Sequence, residues 1–87
     1  MKASDIKVGK TYRNRGRGTT QRKVTGIGLE YQPEHRFRSE RPDWMVGVEY
    51  QQKLPDGAMR QGFGDWSEPR RQWLDSFASW AGSEVSE

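Results

Sequence analysis

The chain has 87 residues, 31% of them apolar, with four Trp, three Tyr and three Phe, and fifteen Lys and Arg against twelve Asp and Glu for a net charge of +3. A chain this short forms one domain that buries only about 60 to 65% of the surface its unfolded form exposes, so a thin, aromatic core must carry the fold. It has no cysteine for a disulfide or thiolate metal site, no run near the ~20 apolar residues of a bilayer span, and no apolar secretory stretch; a soluble, cytoplasmic protein without membrane contact is expected.

In chain order, Ile6 and Val8 precede Gly9, and a first strand is expected from roughly Lys10 to Asn14. The segment Gly-Arg-Gly-Thr-Thr that follows reads as a turn, because glycine takes positive φ without steric cost. From Arg22 the chain is β-like again, with Val24, Ile27, Leu29 and Tyr31 as its apolar positions. Val24 is one residue out of step with the other three. Gly26 sits at the slip, which predicts a bulge that brings Val24 and Ile27 onto one face.

Residues 32–42 contain two prolines and mixed charge without a period, and read as a surface loop. The clearest alternation follows, with Trp44, Val46, Val48 and Tyr50 on one face and Met45, Gly47 and Glu49 on the other. Leu-Pro-Asp-Gly then predicts a hairpin turn, with a returning strand from about Ala58 to Trp66 that Gly62 and Gly64 weaken. Near the C-terminus the period changes: Trp73, Leu74, Phe77, Trp80 and Ala81 form one helical stripe, with Ser67 as N-cap, Pro69 in the first turn and Gly82 as the stop. A helix of about three turns is expected, then a frayed acidic tail at 83–87, within a single domain over 1–87 that is ordered from about 5 to 82.

These elements predict a mainly β protein. The economical arrangement is a small, strongly bent antiparallel barrel of the SH3-like kind, with four or five strands and one C-terminal helix, since closure removes exposed sheet edges. The alternative is an α+β meander with the helix across one face.

Charge is unevenly spread. Lys10, Arg13, Arg15, Arg17, Arg22 and Lys23 are clustered with no acid among them, whereas Asp75, Glu84 and Glu87 end the chain without a base. Arg13, Arg15, Arg17, Arg22 and Lys23 are therefore the candidate nucleic-acid contacts, since guanidinium and ammonium groups on a hairpin can engage successive phosphates. Tyr12, Phe37 and Trp66 are the candidate aromatic contacts, through base stacking beside that basic segment. Phe37 is singled out by its place in a polar loop between Arg36 and Arg38.

Catalytic signatures are missing from the sequence. The single histidine, His35, has no nucleophile pattern beside it, no metal-ligand spacing occurs, and neither Gly-x-Gly pair has the third glycine and helix of a phosphate loop. The expectation is a binding module rather than an enzyme, with no cofactor and no metal, either monomeric or homodimeric.

The segments IKVGKTYRNRG, RKVTGIG, VGVEYQ and FASWAG together resemble small proteins encoded by tailed phages and prophages. That resemblance implies an accessory protein working in a bacterial cytoplasm, on nucleic acid or on a host protein. It carries over no catalytic residues. Two functions follow as expectations: a basic β-barrel that associates with nucleic acid through its Arg-rich hairpin, or an interaction module that modulates a host protein.

Overall fold

The computed structural model describes residues 1–16, 19–33, 45–54 and 64–85. Among them lie five strands, β1 (Thr11–Asn14), β2 (Gln21–Gly28), β3 (Gly47–Gln52), β4 (Arg70–Trp73) and β5 (Ala81–Glu84), and one helix, α1 (Leu74–Trp80). The strands form a single antiparallel sheet in the order β4-β3-β2-β1-β5. The sheet stays open: β4 and β5 are its two edges among the described residues. Because α1 follows β4 and precedes β5 with no intervening loop, the helix spans the distance between the edges. Its own i→i−4 hydrogen bonds stand where a closed barrel would need β4–β5 pairing.

The predicted bulge is present. Val24 pairs with Tyr50 and Ile27 with Val48, but the register slips between Val24 and Gly26. Two residues of β2 thus oppose one step of β3, and Val24 and Ile27 end up on the same face. That face is the one covered by α1. Its buried side chains are Tyr12, Val24, Val48 and Tyr50 from the sheet, Phe77, Ala78 and Ala81 from the helix and its end, and Ile6 from the N-terminal lead, with Ile27, Leu74 and Trp80 packed at the margin. Phe77 is fully buried, and its ring lies 5.8 Å from Tyr12, 5.7 Å from Tyr50 and 5.3 Å from Trp80, centroid to centroid.

Several boundaries differ from expectation. The second strand stops at Gly28, and Leu29–Tyr31 make a 3-10 turn that leaves Leu29 exposed and folds the Tyr31 ring back over Gly26. A Cβ at Gly26 would overlap that ring, and one at Gly47 would overlap the Tyr31 carbonyl. Tyr31 and its turn therefore cover the far end of the outer face, and both glycines are needed for that approach.

The helix is two turns rather than three. Ser67 does not cap it; its Oγ accepts from the Gln52 N–H at 2.9 Å and donates to the Glu68 carbonyl at 2.9 Å. Residues 70–73 extend along β3 instead, with Trp73 opposite Gly47 and Gln72 opposite Val48. Trp73 is thus on the strand, away from the helical stripe in which its spacing had put it. Gly82, expected as the helix stop, lies within β5, and the start of the expected frayed tail is paired: Arg13 opposes Ser83 and Tyr12 opposes Glu84.

At the C-terminal end of α1, the Met1 ammonium donates to the Ala78 and Ala81 carbonyls, each at 3.1 Å, supplying donors where helical carbonyls run out of partners. Of the predicted hairpin after Leu54, residues 55–63 lie outside the described set. Its closing end is visible, with Lys53 bridged to Trp66 and the Leu54 N–H donating to the Asp65 carbonyl at 2.7 Å.

Candidate nucleic-acid interface

Side chains alternate across a sheet, so the register assigns each basic residue to a face. Arg13 opposes Gln21, the Lys53 N–H bonds the Gln21 carbonyl at 2.9 Å, and Lys53 bridges to Trp66. These four positions form one row across β1, β2, β3 and the segment before β4, on the outer face, away from α1. Lys23 lies on the same face one step along, opposite Thr11 and Gln51. Two inter-strand spacings separate Arg13 from Lys53 at the backbone, about 10 Å.

Arg13 and Lys53 are exposed. The Lys23 ammonium sits 4.6 Å from the centre of the Trp66 ring. The indole buttresses the lysine stem and holds its charge at the surface at little cost in hydration. Among the described residues the ion pairs lie elsewhere: Lys10 with Glu84 at 3.5 Å on the β1–β5 edge, and Arg71 with Glu49 at 3.9 Å towards the Tyr31 end. Among the described residues Arg13, Lys23 and Lys53 have no carboxylate partner, nor does Arg15, which is exposed just beyond β1 with its N–H tied to the Trp80 carbonyl at 3.3 Å.

Arg22 belongs to the opposite face. It opposes Tyr12 and Gln52, and its guanidinium lies over the Tyr50 ring at 4.8 Å and over the Trp80 ring at 4.3 Å from their centres. Nε donates to Gln52 Oε1 at 3.2 Å and Nη1 to Gln72 Oε1 at 3.1 Å. Burial lowers its pKa, with the charge of nearby Arg70 acting in the same direction and Tyr50 opposing.

No family model, curated protein or solved structure matches this chain. The site therefore rests on its own geometry.

Of the basic residues singled out by sequence, Arg13 and Lys23 share the outer face, Arg15 borders it, and Arg22 does not join them. Arg17 and Phe37 lie outside the described residues, as does His35. Tyr12 is corrected: it is 1% exposed, with its hydroxyl accepting from the Lys7 N–H at 2.7 Å and donating to the Asp5 carbonyl at 3.0 Å, so its ring is core and offers no stacking surface. Trp66 is half-buried on the outer face, but Lys23 already covers its ring, so its part is to support a cation.

Sequence reasoning missed Lys53, which a long separation in the chain hides from the basic cluster. The alternation Tyr50-Gln51-Gln52-Lys53 could have set it opposite to the buried Tyr50. Elsewhere, an apolar hollow of ≈ 210 Å³ lined by Ala3, Met45, Val46, Leu74 and Asp75 has little polar surface. Among the described residues no cluster of three metal-ligating side chains occurs, and no helix is long and apolar enough to cross a membrane.

Proposed function

We propose that the protein is a non-catalytic binding module that associates with nucleic acid through the phosphate backbone, using Arg13, Lys23 and Lys53 on the outer face of the sheet with Arg15 at its border. The observation that supports this reading is the convergence of three cations on one sheet face, beside an indole and without carboxylate partners among the described residues. Phosphate contacts give affinity and register but little sequence selectivity, and the outer face offers no free aromatic platform for base readout among the described residues. Binding is therefore salt-sensitive and tolerant of sequence.

The architecture fits the same reading. We read it as an SH3-like, half-open barrel: β5 returns beside β1, and the helix between β4 and β5 stands at the open seam. In such a scaffold the helix packs over one sheet face, and the end of the other face that holds Arg13, Lys23 and Lys53 is where a ligand would sit.

Fluorescence anisotropy with single- and double-stranded oligonucleotides tests the proposal. Three phosphate contacts on duplex give a slope of log K against log salt of about −2.7, or about a 40-fold loss between 50 and 200 mM salt. The Arg13→Gln, Lys53→Gln double variant should retain about a threefold loss over that range. Absence of binding at low salt, or a slope unchanged in the variant, refutes it. The second reading, a module acting on a host protein, draws on β4 and β5, the two edges of the sheet among the described residues, as places for strand addition. Capture from host lysate that survives nuclease treatment favours that reading, and loss on nuclease treatment favours the first.

A further inference from the structure

Arg22 is a half-buried cation with only neutral partners. Proteins commonly pair buried guanidinium groups with carboxylates, because a partly dehydrated charge without a counter-charge is costly. Here the partners are two amides and two rings, and among the described residues no carboxylate reaches it. A further charge nearby has the same sign: Arg70, opposite Tyr50 in the register, is exposed and without an ion pair among the described residues.

The amides fix what the cluster presents. Gln52 and Gln72 both turn Oε1 towards Arg22, so their Nε2 groups, which carry only donor hydrogens, point away from it. Neither Nε2 has a hydrogen-bond partner among the described residues, and Nη2 of Arg22 is likewise open. Tyr50 and Trp80 both lie over the guanidinium, which leaves its N–H edge, where planar donors bind oxygen best, for a ligand. The result is a group of open donors with two positive charges.

We propose that Arg22, Arg70, Gln52 and Gln72 form an oxyanion site for a dianionic phosphate, a free phosphate or a terminal phosphate monoester, on the inner face beside the end of α1. Two guanidinium groups match a double negative charge. The backbone phosphates expected at the outer face are diesters with a single charge each. The site is separate from the outer face and does not depend on the nucleic-acid reading.

The test is a titration of the ¹⁵N-labelled protein with inorganic phosphate at pH 7.5, ionic strength held constant with chloride, following the Gln52 and Gln72 side-chain amides and the Trp80 indole N–H. Parallel titrations use dimethyl phosphate, a diester monoanion, and glycerol phosphate, a monoester. Saturable shifts of those three signals with inorganic phosphate or glycerol phosphate are expected, with dimethyl phosphate at least about tenfold weaker. If only glycerol phosphate saturates, the source is a monoester rather than free phosphate.

Arg70→Gln, at an exposed position that leaves the fold intact, should weaken phosphate about tenfold. The Arg13→Gln, Lys53→Gln variant should leave it unchanged while binding oligonucleotide more weakly and with a flatter salt slope. Shifts no larger than with chloride alone, equal response to dimethyl phosphate, or an unaffected Arg70→Gln variant overturns the site.

Discussion

Phe77 is the residue on which the fold turns, and Phe77→Ala is the sharpest test of the packing described above. Its ring is fully buried and touches three others, edge-on to Tyr12 at 87° and tilted against Tyr50 and Trp80 at 54° and 55°. Truncation removes the transfer free energy of a phenyl ring, leaves a cavity and breaks three aromatic pairs, for a loss of about 3 to 5 kcal/mol. A chain of this length has a total stability of about 4 to 13 kcal/mol, so the loss removes a large share of it. Urea unfolding followed by Trp fluorescence reads the effect directly. With a slope of about 1.5 kcal/mol/M the midpoint should fall by 2 to 3 M, while Phe77→Leu, which keeps most of the volume, should lower it by about 1 M or less. A Phe77→Ala midpoint within about 0.5 M of wild type would refute the claim that α1 is pinned to the sheet through this ring.

Three further outcomes follow from the same structure. Gly47→Ala drives a Cβ into the Tyr31 carbonyl, a backbone atom that cannot swing away, and should cost about 2 kcal/mol or more in the same urea assay. Burial raises the Tyr12 phenol above its usual 10.0. Stability should hold up to about pH 10 and then fall, because the unfolded chain ionises first and binds fewer protons; the slope is at most about 1.4 kcal/mol per pH unit until the folded phenol ionises, and the difference between wild type and Tyr12→Phe isolates it. The Val85 N–H donates to the Thr11 carbonyl at 2.8 Å, so hydrogen exchange at Val85 should be slowed, whereas a frayed tail would exchange at the free-chain rate.

The parts of the fold that could be read from sequence are those with a local cause. The phase slip at Val24 announced the bulge, because a period of two tolerates an extra residue only if the strand bulges. Val48 and Tyr50 announced β3 in the same way. The misread parts have non-local causes. Pro69, Ser67 and the stripe from Trp73 satisfy every local rule for a helix start, yet pairing of Arg70–Trp73 with Gly47–Tyr50 outweighs them, and Ser67 spends its hydroxyl on Gln52. Nothing local in Ala81–Glu84 signals a strand either; its partner β1 is some seventy residues away in the chain, and charge on an edge strand looks like a solvated tail. The site divides likewise. A basic cluster was visible, but which members share a face depends on register, and Lys53 joins through two strand pairings that the sequence does not display.

Arg22 and Lys23 make that point testable, because they are neighbours in the chain and lie on opposite faces of β2. Exchanging them, Arg22→Lys with Lys23→Arg, leaves composition and net charge unaltered, so any account based on a basic segment predicts no effect on either ligand. The geometry predicts a split. On the outer face an arginine over Trp66 still offers a cation and stacks at least as well, so oligonucleotide affinity and salt slope should stay within about twofold. On the inner face a lysine has one compact ammonium in place of a planar fork. It cannot pack on Tyr50 and Trp80 while donating to both Gln52 and Gln72, so the two amides lose their fixed orientation and phosphate binding should drop by about tenfold or more. Dispersed amide spectra of the exchanged variant verify the fold. If both ligands weaken together, the two faces are one surface; if neither does, charge alone governs binding and the assignment of roles by face is wrong.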